Sequence, residues 1–457
     1  MIFARPTAGR VPAQYRASTM LMTVRRQREF RDGARGASVC RMAPAAAVRD
    51  DRRRPKDRKQ QIARASAEAF SELGYHAVSM EEIASRVGVT AASLYRHYSG
   101  KYDLFRAAVL GLGEQLVKST AFADDDTDTA PEELWERIVA GLIQTSIRTR
   151  SSGSLYRWEA RYLQPADQSV INDQVKQVNR RLQRPLVALR PGLDSRQRWV
   201  LSASVLSAIA SISDHRGKLA ANDMRRVLAD MARALREADL PPKPVVDEPG
   251  QFRPSAGSAA GEYELILAAA LQLFNEHGYR ETGMDDIASA IDLPASSIYR
   301  FFSGKAAILT AIYRRAADRV SGDTSTILAA APNARAAVGK LIDAYVWRSF
   351  AEPELAYVYF AERINVPVDD RCALQNMQRA TVEAWVRQVV AARPEVPVVE
   401  ARFAVRAAFG LVVDAGRLVG YESTPWARQV VERLLRALLL SERSSAYAHV
   451  NQAAGLQ

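Results

Sequence analysis

The chain has 457 residues, of which 48% are hydrophobic, and its formal net charge is +12 at pH 7. This length exceeds one ordinary domain and suits two to four domains with sizeable buried cores. No stretch has the roughly eighteen uninterrupted apolar residues of a membrane span, and the N-terminal region lacks the apolar core of a secretory signal. Cys40 and Cys372 are too few for a disulfide framework or a cysteine metal cluster. We therefore expect a cytoplasmic chain with no membrane partner.

The positive charge is concentrated near the N-terminus. Residues 1–60 contain sixteen Lys or Arg and five Asp or Glu, a net charge of +11, so the rest of the chain is nearly neutral. Little hydrophobic periodicity is present there, which predicts a disordered basic tail over residues 1–54. A more ordinary composition begins at Met42, so translation could start at Met1 or at Met42. The overall charge is thus a weak indicator of DNA binding.

A repeat is more informative. The stretch TAASLYRHYSGK, Thr90 to Lys101, returns as PASSIYRFFSGK, Pro294 to Lys305. Without any gap, residues 62–109 and 266–313 share 18 identities in 48 positions at an offset of 204. Between the copies, residues 241–257 contain five prolines, a composition that excludes helix and favours a semi-rigid linker. The chain is a tandem duplication.

Local signals predict the helices of each copy. In the first copy, apolar residues at helical spacing followed by Gly74 predict a helix from about Lys56 to Leu73. Ser79 and Glu82 have the spacing of a capping box, which predicts that a short second helix begins there. Gly88 supplies a turn, and Thr90 can cap a third helix over 91–97. Ser99 is expected to cap a fourth helix with Lys101 in its first turn, an arrangement that suits a phosphate.

Two short helices joined by a tight turn are typical of a helix-turn-helix, whose second helix enters the major groove of DNA. Small residues at its start allow close approach, and the following polar residues can reach bases or phosphates. In the first copy the predicted DNA-binding residues are Thr90, Ala91, Ala92, Ser93, Tyr95, Arg96, His97 and Lys101. In the second copy they are Ser296, Ser297, Tyr299, Arg300 and Lys305.

The two copies differ in charge. Residues 58–109 carry a net charge of +2, whereas the matching residues 262–313 carry −4. Gly88 is replaced by Asp292 and Thr90 by Pro294, changes that the fold should tolerate. We therefore expect the first copy to be the main DNA reader and the second to be weaker or structural; two equivalent readers is the alternative.

The pattern I-x-x-A-x-x-x-F-x-x-x-G-Y, followed by IA and LYRHYSGKYDL, resembles the N-terminal domain of the TetR family of bacterial transcriptional regulators. The resemblance covers both copies and implies an all-α fold with two tandem TetR-like units, each a helix-turn-helix domain followed by a helical ligand-binding and dimerisation domain. It also implies binding to double-stranded DNA at a palindromic operator, and repression that a small molecule relieves. The expected domains are a basic tail (1–54), a first helix-turn-helix domain (55–105), a first helical domain (106–240), a linker (241–257), a second helix-turn-helix domain (258–309), a second helical domain (310–445) and a C-terminal tail (446–457).

By the same resemblance, the last two helices of each unit would form a four-helix dimer interface. One chain contains two such pairs, so it could be an intrachain pseudo-dimer; a homodimer in which two chains pair like with like is the alternative. Aromatic residues crowd both helical domains, and some could line a cavity for a small apolar effector. The candidate effector-binding residues are Trp158, Tyr162, Trp199, Tyr357, Glu362 and Trp385.

Enzymatic function has little support in the sequence, because there is no phosphate-binding glycine loop, GxSxG motif or HExxH motif. Neither a cofactor nor a metal is expected. A helical protein-interaction scaffold with degenerate helix-turn-helix units remains the alternative function, and the acidic second copy favours it for half of the chain.

Overall fold

The structure is a computed structural model that describes residues 55–244, 261–422 and 424–441. The predicted tails at 1–54 and 446–457, and all but residues 241–244 of the predicted linker, lie outside these ranges. All secondary structure in the described residues is helical. None of the helices there is long and apolar enough to cross a membrane.

Within the described residues the first unit has eight α-helices. Helices α1 to α3 form what we call the first head, and five helices of 16 to 25 residues follow. Their bounds are α1 Pro55–Leu73, α2 Met80–Val87, α3 Ala91–Tyr95, α4 Lys101–Ser119, α5 Pro131–Arg148, α6 Pro165–Leu189, α7 Ser195–Ala210 and α8 Ala221–Arg236.

The second unit repeats this order with one additional helix. Helices α9 to α11 form the second head. The bounds are α9 Glu262–Glu276, α10 Met284–Ser289, α11 Ala295–Tyr299, α12 Lys305–Ala330, α13 Ala334–Ala351, α14 Pro353–Ala361, α15 Val368–Ala392, α16 Val398–Leu418 and α17 Pro425–Leu440. The additional helix α14 stands where the first unit has a π-helical turn, Leu155–Glu159.

The start of the second helix of each head is capped by half of a capping box. In the first head the Ser79 hydroxyl accepts a hydrogen bond from the Glu82 backbone N–H at 3.1 Å, as predicted, but the Glu82 carboxylate accepts from Arg86. In the second head only the reciprocal half exists, because Gly283 has no side-chain acceptor: its N–H donates to the Asp286 carboxylate at 2.7 Å. Each copy thus satisfies a different orphan N–H group of the same helix start.

The tight turn inside each head has left-handed backbone. Gly88 has φ +68° and its counterpart Asp292 has φ +52°, so Asp occupies a conformation that few non-glycine residues adopt. The Thr90 hydroxyl caps α3 by accepting from the Ser93 N–H at 3.3 Å, as predicted. The prediction that Ser99 caps α4 is wrong: Gly100 occupies the N-cap without a side-chain hydrogen bond, and the Ser99 N–H donates to Asp103.

The helical domains of the two units share one hydrophobic core. Helix α7 packs against α16, and α8 packs against α17, so the last two helices of each unit form a four-helix arrangement within one chain. A single cluster of buried side chains runs from Leu116 in the first unit to Leu440 in the second. The heads have separate cores, built around Phe70 in the first and Phe274 in the second.

Candidate DNA-reading heads and the junction between them

Helix α3 of the first head presents a polar surface over a buried anchor. Leu94 is fully buried in the head core, whereas Tyr95 is 55% exposed. Of the other predicted DNA-binding residues on and around α3, Thr90, Ala92, Arg96 and His97 are exposed, and Ala91 and Ser93 are half-buried. The helix therefore offers a tyrosine, an arginine and small side chains to a partner on its outer side.

Helix α11 of the second head has the same arrangement. Ile298 is buried, Tyr299 is 56% exposed, Ser296 and Arg300 are exposed, and Ser297 is half-buried. The two heads thus expose their tyrosines equally, and the difference between them lies in charge.

The first turn of the head creates that difference. In the second head, Nη2 of Arg300 pairs with the Glu262 carboxylate at 2.7 Å. At the offset of 204, Arg58 of the first head stands where Glu262 stands in the second, so Arg96 has a second arginine in the matching place rather than a carboxylate. Glu264, in the same turn of α9, binds Arg315. The second head therefore pairs cations that a phosphate could otherwise bind.

The two lysines predicted to contact DNA are also engaged within the chain. Nζ of Lys101 donates to the His76 carbonyl at 3.1 Å and lies 4.7 Å from the centre of the Tyr75 ring. Nζ of Lys305 donates to three backbone carbonyls, of Tyr279, Arg280 and Thr282, at 2.8–3.1 Å. Partial burial lowers the pKa of both lysines, with a further lowering from the charge of Arg280. Both lysines therefore stabilise the loop between the first two helices of the head.

A buried glutamate in each helical domain binds that same loop. Glu159 accepts a hydrogen bond from the Tyr75 backbone N–H at 3.1 Å, and Glu362 accepts from the Tyr279 N–H at 3.0 Å. Both carboxylates are buried, and burial raises the pKa of Glu159. The offset between the glutamates is 203 and that between the tyrosines is 204, so the contact is part of the duplication.

The two loops meet each other across the units, at what we call the head junction. Arg161 of the first unit pairs with Glu362 of the second at 2.8 Å. His76 and Glu281, one from each head, lie 3.8 Å apart. A side chain at Gly74 would collide with Cδ1 of Ile364 from the second unit. The helical domain of each unit therefore contacts its own head and the other one.

Four of the six predicted effector-binding residues lie between the two units, Tyr162 and Glu362 at the head junction and Trp158 and Tyr357 between the helical domains. Trp158 is buried, stacks on Phe360 with ring centres 5.2 Å apart, and donates to Asp214. Tyr357 lies under the Arg417 guanidinium at 3.7 Å, Glu362 binds the second head, and Tyr162 lies beside Gly278.

The other two lie elsewhere. Trp385 is buried against Tyr345 and Phe409, and Trp199 is half-buried on α7. An internal cavity of about 10 Å³ lies in the first helical domain, lined by residues that include Leu112, Leu116, Tyr156 and Ile212. None of the six predicted residues lines it. It has room for about one water molecule, so an effector would need the domain to open.

Comparison with known families identifies the two heads. The family model for bacterial regulatory proteins of the tetR family matches residues 62–108 and again residues 266–312. Each of these two segments therefore matches the N-terminal domain of the TetR family, and the chain carries that domain twice. The two matches cover the heads and the start of α4 and α12, the same segments that the internal repeat relates.

Curated relatives are similar to this chain over short segments. The HTH-type transcriptional activator FasR of Mycolicibacterium smegmatis is 43% identical over 75 residues, which are 16% of this chain and 34% of FasR. The regulator TtgW of Pseudomonas putida is 27% identical over 88 residues, 19% of this chain and 62% of TtgW. The chain thus spans about a third of one relative and less than two thirds of the other.

Solved structures of the family align with part of the chain. A TetR-family regulator from Bordetella parapertussis has 19% identity and a TM-score of 0.37, with coverage of 40% of this chain and 95% of its own. The ketosteroid regulator KstR2 of Mycobacterium tuberculosis has 20% identity and the same TM-score, with coverage of 41% and 99%.

The head junction is the part of the site that the sequence reasoning missed. The sequence predicts Glu362 only as an effector-binding residue, yet Glu362 and Glu159 both bind head loops. Their near-constant offset in the repeat was the available signal. The sequence predicts the negative net charge of the second head but not the pairing of Glu262 with Arg300. No sequence pattern shows which acidic residue faces the recognition helix.

Proposed function

We propose that this TetR-family protein is a cytoplasmic, sequence-specific DNA-binding transcriptional regulator whose first head is the main reader. The observation that supports this most directly is the contrast at positions 58 and 262. In the second head Glu262 is bound to Arg300, whereas in the first head Arg58 occupies the equivalent position and Arg96 has no ion pair within the described residues. Phosphate contacts supply most of the affinity for DNA, so the head with unpaired cations should bind more tightly.

In this proposal the single chain acts as an intrachain pseudo-dimer on a palindromic operator. The four-helix arrangement and the head junction join the two heads in one body, which supports simultaneous contact with two half-sites. Helix-turn-helix dimers read half-sites about 34–36 Å apart, one turn of DNA. The second head would then fix the position of the protein along the operator and contribute a modest part of the affinity.

The proposed mode of control is repression that a small apolar effector relieves. An effector could enter the small cavity lined by Leu116 and Tyr156 in the first unit only if the domain opens. FasR is named an activator, so activation is the second candidate. A reporter with the operator over the promoter, assayed with and without the gene for this protein, separates the two: repression lowers expression and activation raises it.

The central test compares the two recognition-helix tyrosines. An operator is first selected from random duplexes with the full chain, and affinity is then measured for Tyr95→Ala and Tyr299→Ala at two salt concentrations. Because the tyrosines are equally exposed, each variant is the matched control of the other. We expect Tyr95→Ala to weaken binding by about tenfold or more, and Tyr299→Ala by less than about threefold.

Equal losses would reject the asymmetry in favour of two equivalent readers. If no duplex is enriched and binding shows no dependence on salt, the regulator function fails and the helical scaffold is favoured. Lys101 and Lys305 are poor probes for this test, since removal of either would also break contacts within its own head.

A further inference from the structure

Three arginine side chains and one histidine lie at the loop between α7 and α8. We call Arg150, His215, Arg216 and Arg406 the arginine cluster. The first three belong to the first unit, and Arg406 comes from α16 of the second unit. The cluster therefore exists only because the two units pack together in one chain.

Hydrogen bonds fix the positions of these groups. Arg150 donates to the carbonyls of Ile212, His215 and Gly217 at 2.9, 3.1 and 2.7 Å. Nη1 of Arg406 lies 3.3 Å from Nδ1 of His215, and a side chain at Gly217 would come within 2.9 Å of that same Nη1. Both guanidinium groups thus reach one short loop.

The nearby carboxylates are already bound to other groups. Asp214 accepts from Arg157 and, at 2.8 Å, from Nε1 of Trp158. Glu383 accepts from both ends of the Arg402 guanidinium. Arg363 donates to the Asp214 carbonyl and adds a further positive charge. Burial and the neighbouring arginines, with Arg379 adding to the effect on Arg406, lower the pKa of both Arg150 and Arg406.

His215 is held as a neutral donor. Its Nδ1 accepts from the Gly217 N–H at 3.1 Å, so the ring hydrogen belongs on Nε2. That nitrogen is buried and has no hydrogen-bond partner among the described residues. Burial and the charges of Arg406, Arg150 and Arg363 lower the pKa of His215 to about 3. The ring packs edge-on against Phe403, with ring centres 4.7 Å apart, while Nδ1 on its other side lies against Nη1 of Arg406. His215 therefore positions Arg406.

A purely structural role explains only part of the cluster. Arg150 and Arg363 bind carbonyls of the turn and loop that follow α7, where a cation is favourable. Arg406 makes no such contact, because its one hydrogen-bond partner among the described residues is a histidine nitrogen. Arg216 is exposed, and its positive charge lowers the pKa of Arg150. At the offset of 203, Pro353 occupies the position of Arg150 in the second unit, so this cluster has no counterpart there.

We infer that Arg406 and Arg216, with His215 positioning Arg406, form a binding site for a small oxyanion, the carboxylate or phosphate group of a ligand, at the interface of the two units. An oxyanion there would accept charge-assisted hydrogen bonds from the guanidinium groups and neutralise charges that repel one another. A ligand in this site contacts both units, so it would stabilise their packing.

The test measures binding of inorganic phosphate, sulfate and acetate to the full chain by calorimetry and by the shift of Tm, with chloride at matched ionic strength as the reference. The variants are Arg406→Gln, Arg406→Lys and Arg216→Gln. Arg180→Gln is the matched control, since it removes the same charge from an exposed position on α6. A response to phosphate and sulfate alone identifies a phosphate-type ligand, and a response to acetate identifies a carboxylate.

We expect an oxyanion to raise the Tm of the wild-type chain and of Arg180→Gln. Arg406→Gln should weaken binding by about tenfold or more, Arg216→Gln by less, and Arg406→Lys should keep most of it. Without an oxyanion, Arg406→Gln should have a Tm equal to or above that of the wild type, because it removes an uncompensated charge.

The inference is overturned if the wild-type chain responds to no oxyanion, or if both Arg406→Gln and Arg216→Gln bind as tightly as the wild type. Should Arg406→Gln fold poorly, the exposed Arg216 variant still decides the question. No DNA enters these measurements, so a negative result leaves the proposed regulator function untouched, and loss of operator binding would not affect this site.

Discussion

A single position explains much of the difference between the two heads. Arg58 and Glu262 occupy equivalent places in the first turn of each head, but only Glu262 lies within hydrogen-bond distance of the arginine of its recognition helix. The pair of Glu262 and Arg300 is solvent-exposed, so it contributes less than about 1 kcal/mol to the free energy of unfolding. Its effect should appear in DNA binding, because a phosphate must displace or tolerate the carboxylate.

Exchange of these charges should therefore change operator affinity with little effect on stability. We expect Glu262→Arg to tighten binding by about tenfold, roughly 1.4 kcal/mol, and Arg58→Glu to weaken it by a similar factor. Glu264→Arg is the control. It makes the same change in net charge two residues further along α9, but it releases Arg315 rather than Arg300. Affinities are measured by fluorescence anisotropy over a salt series.

If Glu262→Arg and Glu264→Arg tighten binding equally, a long-range field is responsible rather than the release of Arg300. No change in either variant would mean that the second head does not approach DNA.

The contacts of the two predicted DNA-binding lysines could not be predicted from the sequence. Lys101 was predicted as a phosphate contact from its place in the first turn of α4, and that prediction stays untested. Its acceptor is the His76 carbonyl, 25 residues earlier, and Lys305 has three such acceptors. Contacts of this kind depend on how the helices pack, which local spacing does not encode.

At the scale of elements, the loop after the first helix of each head is the point at which the helical domains hold the heads. Gly74 has φ +80° and no room for a side chain beside Ile364. Gly278 has φ +87°, but there a side chain would meet Tyr162 only at 3.6 Å, an ordinary contact distance. The two glycines thus share a left-handed backbone that would strain any other residue, and they differ in the cross-unit contact.

We expect Gly74→Ala to lower the free energy of unfolding by about 2 kcal/mol or more, from left-handed strain plus overpacking. Gly278→Ala should cost only the strain, about 1–2 kcal/mol. Ile364→Ala should partly rescue Gly74→Ala but not Gly278→Ala, with a coupling energy of about 1 kcal/mol in a double-mutant cycle measured by urea denaturation. Additive effects at Gly74 would contradict a direct contact between the units at the head junction.

The helices of the heads were largely predictable because their signals are local. Gly88 and Thr90 perform the roles that their identities indicate, and α2 begins at the residue after Ser79. The failure at Ser99 has a local cause too, since the Asp103 carboxylate takes its N–H and Gly100 becomes the cap. The replacement of a π-helical turn by α14 in the second unit carried no recognisable signal.

At the scale of the whole molecule, the shared core buries the surfaces through which a TetR-like unit is expected to dimerise. Helices α7 and α8 are covered by α16 and α17 of the same chain, and residues such as Ala208 and Val431 are fully buried there. Polar contacts also fix the relative orientation of the two units. Arg157 of the first unit and Ser207 on α7 both donate to Asp414 of the second at 2.6 Å. A second chain could pair through these faces only by separating the two units.

The free protein should therefore have the mass of one chain, 50.4 kDa, in light scattering, and one chain should bind one palindrome. Asp414→Ala leaves the buried Arg157 with one carboxylate fewer at the unit interface, and is expected to destabilise the chain by about 3 kcal/mol or more. A mass of about twice 50.4 kDa for the wild type would instead mean that like units pair between chains, the commoner solution for homo-oligomers. In that arrangement the contacts of Asp414 with Arg157 and Ser207 would form between chains, and the same substitution would shift the mass toward that of one chain. The direction of that shift, together with the number of chains on one operator, separates a built-in pair of heads from a pair made by assembly.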